Sequence, residues 1–394
     1  MKIAIISYKP LSSPASGYEV AILTMAKSLI KSKNKVEIFS IGKYRKSRSN
    51  YNVKEHIIKG YIYSESGFGL KRLWDFICLS ILKYRPQIEK LNDNKEFLRT
   101  IQIYKPDIII VSSIQIADLA EKCALTTGAK IVVYTDSYEL INSSLNELEQ
   151  LNLPQFIKKL IKRIIGKSYL NYMTSLYMKM IKIGDTIIFP TEKDRTAVVK
   201  KFKLSEAKTF VAPPVIIKTN ETQNSKPANK IKTITFIGAA NYAPNDKAVN
   251  IIKTRIAPKL KHINFLIVGK GQKSAKEGNV EIIGDAKDLS NILKRTDAFI
   301  APITLGRGMK TKIATYLEAG KPIVGTSLAF EGYGIKDRIN GIVEDNLNKI
   351  YKRIIELSND PKLMRKIQQN EKLIIRNFSE KSLREKWLKI IESL

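Results

Sequence analysis

The sequence predicts an α/β protein of two doubly wound domains, each a parallel sheet covered by helices. Three observations predict it. Short, near-continuous apolar runs suit strands that are buried on both faces. Segments with helical spacing of apolar residues separate those runs. A polar stretch without periodicity, TNETQNSKPANK (219–230), divides the chain and reads as a linker. The length of 394 residues fits about two domains, and a hydrophobic fraction of 44% is ample for two cores.

The first strand is KIAIIS (2–7). A loop with Pro10, Pro14 and Gly17 follows, then a helix with apolar residues at Val20, Leu23, Met25, Ala26, Leu29 and Ile30. VEIFSI (36–41) is the next strand, and strand, helix and strand together make a βαβ unit. DIIIVSS (107–113), KIVVYTD (130–136) and DTIIFPT (185–191) continue the first sheet. After the linker come ITFIGA (234–239), NFLIVG (264–269), VEIIG (280–284), AFIAP (298–302) and PIVGT (322–326). The last helix, within 380–394, is expected to pack back on the first domain. The expected boundaries are 1–217 with 376–394, a linker at 218–230, and 231–375. Ligands of open parallel sheets bind outside the carboxyl ends of the strands, so the expected site is the cleft between the domains.

The net charge of +31, with a pI of about 9.8, would attract nucleic acid, anionic headgroups or phosphorylated substrates. No recognition-helix or RNA-binding signature accompanies it, so nucleic acid is not the expected partner. Cys78 and Cys123 read as buried apolar residues in a reducing compartment. His56 and His262 sit in no metal-ligand pattern, and neither a metal nor a cofactor is expected. GKGQKS (269–274) lacks the third glycine of a dinucleotide fingerprint. The N-terminal apolar run is too short for a signal peptide, and no run reaches transmembrane length. A soluble or peripheral protein of the cytoplasm is the expectation.

One stretch points to chemistry: GRGMKTKIATYLEAGKPIVG (306–325). It places Gly306, Arg307, Gly308 and Lys312 around a helix start, directly after the AFIAP strand. Backbone N–H groups and the helix dipole make an anion site there, glycines admit a phosphate, and the cations grip it. A surface loop with solvated cations is the alternative.

With FIGAANYAPNDKAVNIIKTRIAPKL, FLIVGKG and VEIIGDAKDLSNILKRTDAFIAP before it, this stretch resembles the donor domain of a GT-B glycosyltransferase, and more narrowly family 4, glycosyl transferase group 1. The resemblance implies two Rossmann-like domains facing a central cleft and a nucleotide-diphosphate sugar as co-substrate. The acceptor would be a glycan or a polyprenyl-phosphate-linked sugar, and transfer would proceed with retention and without metal. Arg307 and Lys312, with Gly306 and Gly308, would face the diphosphate. Gly269, Gly271, Gly284 and Asp285 would flank the nucleobase, and Glu331 would lie near the donor sugar. The loop ending in Ser16, Gly17 and Tyr18 resembles the glycine loop of the first domain more weakly, and Gly17 reads equally well as a turn glycine. The family carries a glutamate at each end of an eight-residue step, where this chain has Arg307 and Thr315. Glu318, one turn after Thr315, either contacts ribose in its place or is a solvated residue of the helix. That departure keeps a catalytically inactive scaffold open as a second reading, and the net charge keeps open a basic nucleic-acid-binding protein as a third.

Asp136 stands at the carboxyl end of a strand, where it would assist the acceptor or cap the next helix. The stretch 150–184 holds no acid. Ile157, Leu160, Ile161, Ile164 and Ile165 are expected on one helical face, with Lys158, Lys159, Lys162 and Arg163 on the other. Such a helix would lie on an anionic membrane surface or pack as an ordinary surface helix. LKRLWDFICLSILKYR (70–85), with Trp74 and Phe76, is a second candidate.

Overall fold

A computed structural model of the chain describes residues 1–11, 17–30, 32–42, 53–59, 94–135, 154–214, 230–240, 242–284, 289–306 and 308–394. The chain divides into two compact units, 1–214 with 383–394, and 215–382.

In the first unit the described elements run β1 (Lys2–Ser7), α1 (Gly17–Ile30), β2 (Lys35–Ile41), β3 (Lys54–Ile58), α2 (Lys95–Tyr104), β4 (Ile108–Val111), α3 (Ala117–Thr127), β5 (Lys130–Tyr134), α4 (Gln155–Ile183), β6 (Thr186–Phe189), α5 (Glu192–Phe202) and β7 (Thr209–Val211). The sheet is parallel, in the order β3-β2-β1-β4-β5-β6-β7. Strand period explains the two cores. Ala4 and Ile6 of β1 point to one face, packed with Phe39, Ile109 and the buried sides of α2, α3 and α4. Ile3 and Ile5 point to the other, packed with α1 and with Trp387, Ile390 and Ile391 of α11 (Glu380–Glu392). Trp387 stacks on Tyr134, with ring centroids 6.1 Å apart.

Chain punctuation follows the side chains. Asn94 caps α2 by accepting from the Phe97 N–H, and Thr191 caps α5 by accepting from Asp194. Asp107 and Asp185, just before β4 and β6, accept the backbone N–H of Lys2 and Ile131 on neighbouring strands.

The second unit runs β8 (Thr233–Ile237), α6 (Ala243–Ile251), β9 (Asn264–Val268), β10 (Ala275–Glu277), β11 (Val280–Ile283), α7 (Leu289–Arg295), β12 (Ala298–Ala301), α8 (Thr311–Ala319), β13 (Ile323–Gly325), β14 (Ile342–Val343), α9 (Ile350–Asn359) and α10 (Pro361–Asn377). Its sheet order is β10-β11-β9-β8-β12-β13-β14, parallel except for the β10–β11 hairpin. β8 stands in the middle, so strand order reverses between β8 and β12. Tyr316 ties α8 beneath that point. Its ring stacks on Phe299 at 4.2 Å, and its hydroxyl accepts the Ile237 N–H at 2.9 Å. Asp297 repeats the strand-start device by accepting from the N–H groups of Lys232 and Thr233.

The linker stretch 219–229, Asp136 and the 70–85 segment lie outside the described residues. Cys123 is buried, as a lone apolar cysteine should be, and burial pushes its thiol up to about 12.

The acid-free helix differs from the expectation. The inward line of α4 runs through Lys158, Gly166, Tyr169, Met173, Tyr177 and Met180, all buried. Lys158 is only 6% exposed, so it is not the surface cation expected: it falls in register with the buried tyrosines and methionines. Conversely Phe156, Leu160 and Ile164 are exposed at 70%, 53% and 68%. The apolar stripe of the first turns therefore faces outward, edged by the exposed Lys159, Arg163 and Lys167, with Lys162 half-buried. Among the described residues no helix is long and apolar enough to cross a membrane.

Candidate functional site

The carboxyl edge of the second sheet gathers the loops after β8, β9, β11 and β12. Close backbone approach explains the glycines. A Cβ on Gly269 would stand 2.0 Å from the Gly238 carbonyl oxygen. One on Gly284 would meet the Gln272 carbonyl at 2.6 Å. The loops after β8 and β9 are bonded directly, Ala240 N–H donating to the Lys270 carbonyl and the Gln272 side chain donating to that of Gly238. Gly271 adopts a left-handed φ of 78°. The three glycines expected around a nucleobase thus share one loop cluster.

Across the switch point, Gly306 and Gly308 have φ of 87° and 72°, which favours glycine. A Cβ on Gly306 would come within 3.5 Å of Pro244 and 3.7 Å of the Tyr242 hydroxyl, so the loops after β8 and β12 close on each other. Glu331 fastens the second loop by accepting the Gly308 N–H at 3.0 Å, with the Lys310 ammonium 3.6 Å away. The Lys310 ammonium donates to the Gly308 carbonyl, and the Tyr333 hydroxyl to the Lys310 carbonyl. In the structure Glu331, expected beside the donor sugar, is the clasp of the glycine loop.

Lys310 is the N-cap of α8, with no side-chain cap bond. The first N–H groups of α8 and its dipole face the edge where the loops meet, which suits an anion. Lys312 stands in that first turn. Its ammonium donates to Asn245 Oδ1 at 2.5 Å and lies 4.2 Å from the centre of the Phe236 ring. Burial lowers its pKa to about 7, with the Lys310 charge adding to the shift. Thr315 and Glu318 are half-buried one turn apart on the same helix. Arg307 and Asp285 lie outside the described residues, as Asp136 does, and Gly17 opens α1 in the other unit. Among the described residues no three of His, Cys, Asp and Glu gather as a metal site.

Residues 231–360 match the family model described as glycosyl transferases group 1. Over its whole length the chain superposes on Anabaena Alr3699/HepE in complex with UDP and glucose, at 13% identity and TM-score 0.64, covering 100% of both chains. A glycosyltransferase from Rickettsia africae ESF-5 gives 17% identity and TM-score 0.65, with 99% of each chain covered. Sucrose-phosphate synthase from Thermosynechococcus elongatus gives 12% and 0.66, covering 99% of this chain and 98% of that one. The fold is GT-B. No curated protein matches the sequence.

In the second unit the sequence singles out the glycines, Lys312, Thr315, Glu318 and Glu331 as candidates, but not Asn245 and Phe236, which contact Lys312, nor Tyr242 and Tyr316. Asn245 had one available signal, its place after Pro244 in the first turn of the helix that follows β8. Its partner Lys312 is 67 residues away, which no local pattern reveals.

Proposed function

We propose that the chain is a glycosyltransferase that moves a sugar from a nucleotide-diphosphate sugar to a glycan or lipid-linked acceptor. The observation that carries this reading is the cation-bearing helix start of α8 at the strand-order switch point, inside the stretch that matches the glycosyl transferase domain. That Alr3699/HepE forms complexes with UDP and with UDP-glucose supports it.

In the reaction the bond between the anomeric carbon and the diphosphate oxygen breaks. A bond to an acceptor hydroxyl oxygen forms, and the hydroxyl proton passes to a base. Lys312, Arg307 and the α8 dipole take up the charge of the leaving diphosphate, so this reading calls for no metal ion and no cofactor. Retention follows the family resemblance. Asp136 is the candidate to assist the acceptor. Glu318 contacts ribose in place of the family's second glutamate, so Glu318→Gln should weaken donor binding more than Thr315→Ala. The first unit receives the acceptor, and the basic outer edge of α4 meets an anionic membrane at its cytoplasmic face.

A thermal-shift screen of nucleoside diphosphates and their sugars tests the donor assignment. Stabilisation by one base series is expected, with Lys312→Ala and Arg307→Ala each weakening affinity or turnover by about tenfold or more, the scale of one charge-assisted contact. Variants that bind and turn over donor like the parent would sink the assignment. Thr315 favours a second reading, an inactive GT-B scaffold. Nucleotide binding without turnover on any acceptor would select it.

A further inference from the structure

We infer that Asn245 is the positioning residue of this site, its side-chain amide joining the loop after β8 to the ammonium of Lys312. The inference rests on the donor-site reading above and gives a role to a residue to which the sequence assigned none.

Three observations converge on Asn245. It is buried, at 6% exposure, in the first turn of α6. Both ends of its amide are used: Nδ2 donates to the Ala239 carbonyl at 2.9 Å, and Oδ1 accepts from Lys312 Nζ at 2.5 Å. The backbone makes room for it, since a Cβ on Gly238 would stand 2.8 Å from Asn245 Cγ and 2.7 Å from the Phe236 ring. Any larger residue at 238 would push Asn245 out of place. Gly238, Phe236 and Asn245 thus form a seat for one ammonium group. The seat is built from the β8 side of the switch point, while Lys312 arrives from the α8 side.

An amide suits this task better than a carboxylate. A carboxylate would pair with Lys312 permanently and compete with a bound diphosphate. A neutral carbonyl oxygen fixes the position of the ammonium and leaves its charge for the anion. The aromatic ring below holds a cation without neutralising it. Among the described residues the charge that acts on Lys312 is that of Lys310. Lys310 lies on the adjoining loop with its ammonium toward Glu331, and Tyr316 lies on α8 with its hydroxyl taken by the Ile237 N–H. Burial holds the pKa of Lys312 down at about 7, so donor binding above that pH must supply the proton of the ammonium.

The test uses the full chain and three probes, UDP, GDP and ADP, by titration calorimetry from about pH 6 to pH 9. For whichever nucleotide binds the parent, affinity should fall above about pH 7, approaching tenfold per pH unit for one linked proton. Asn245→Ala should weaken binding by about tenfold to a hundredfold at pH 6.5 and start the fall at lower pH, because the ammonium loses its acceptor. Asn245→Asp should also weaken binding, by repelling the diphosphate, but should start the fall at higher pH, because its charge holds the proton on Lys312. Opposite displacements of the pH profile by two substitutions at one position are not what loss of folding would produce. Variants matching the parent in affinity and pH profile, or both moving the profile the same way, overturn the role of Asn245 and leave the donor reading standing. A parent chain that binds none of the three nucleotides overturns the donor reading and this inference together.

Discussion

Glu371 is the residue whose replacement should stabilise the protein most clearly. It lies on the buried face of α10 among Met364, Ile367, Ile374 and Ile375, at 1% exposure. Among the described residues neither of its carboxyl oxygens has a hydrogen-bond partner. Burial raises its pKa well above the ordinary 4.5, so the folded protein holds this proton to a higher pH than the unfolded chain does. Methionine has a similar length and no polar atom to satisfy. Removing an unpaired buried polar group should gain about 1–3 kcal/mol. A second contribution depends on pH. Above pH 4.5 the unfolded chain ionises Glu371 while the folded chain does not, so the parent loses stability as pH rises toward the folded pKa. The loss approaches about 1.4 kcal/mol per pH unit in that window. For a unit of this size 1 kcal/mol corresponds to roughly 2–4 °C in Tm. Glu371→Met should therefore melt about 2–10 °C above the parent near pH 5. The gap should widen by roughly 3–5 °C with each further pH unit for as long as the folded carboxyl stays protonated. Differential scanning calorimetry of both proteins from about pH 5 to pH 8 measures it. A gap that does not change with pH, or a methionine variant that melts lower, would refute the picture of a neutral, unpartnered carboxyl.

Three other outcomes follow from the same structure. Gly269→Ala puts a Cβ against the Gly238 carbonyl oxygen at 2.0 Å, a backbone collision; it should cost several kcal/mol and abolish nucleotide binding, read by Tm and calorimetry. Trp387→Ala empties a fully buried site against Tyr134 and should cost about 3–5 kcal/mol, read by denaturant titration of the first unit. The chain should sediment with anionic vesicles at low salt and release at high salt. Reversing Lys159, Arg163 and Lys167 to glutamate should abolish sedimentation without changing the melting temperature; parent protein that stays in the supernatant would remove the membrane from the reading.

The legible strands were those that are buried on both faces. KIAIIS, VEIFSI and NFLIVG announce themselves because a parallel strand covered on both faces reads as a near-continuous apolar run. The strands that escaped are edge strands. β3 reads Lys-Glu-His-Ile-Ile and is mostly half-buried, β10 is fully exposed, and β14 has two residues. For α4 the sequence showed an amphipathic pattern but not which side faces in. Tyr169, Met173 and Tyr177 settle that, and they carry Lys158 inward along the same line. At the site, glycines were readable because the backbone demand is local. Asn245 was not, because its role comes from a contact made only when β8 and α8 are brought together.

The first unit is finished by a segment of α11 that the ribosome makes after all of the second unit. Until then the apolar side of β1 and α1 lacks Trp387, Ile390 and Ile391. At about 5–20 residues per second, the intervening stretch takes roughly ten to thirty seconds to synthesise. During that interval the newborn protein carries an open hydrophobic seam, and any chaperone that guards it must act on the unit made first and let go last.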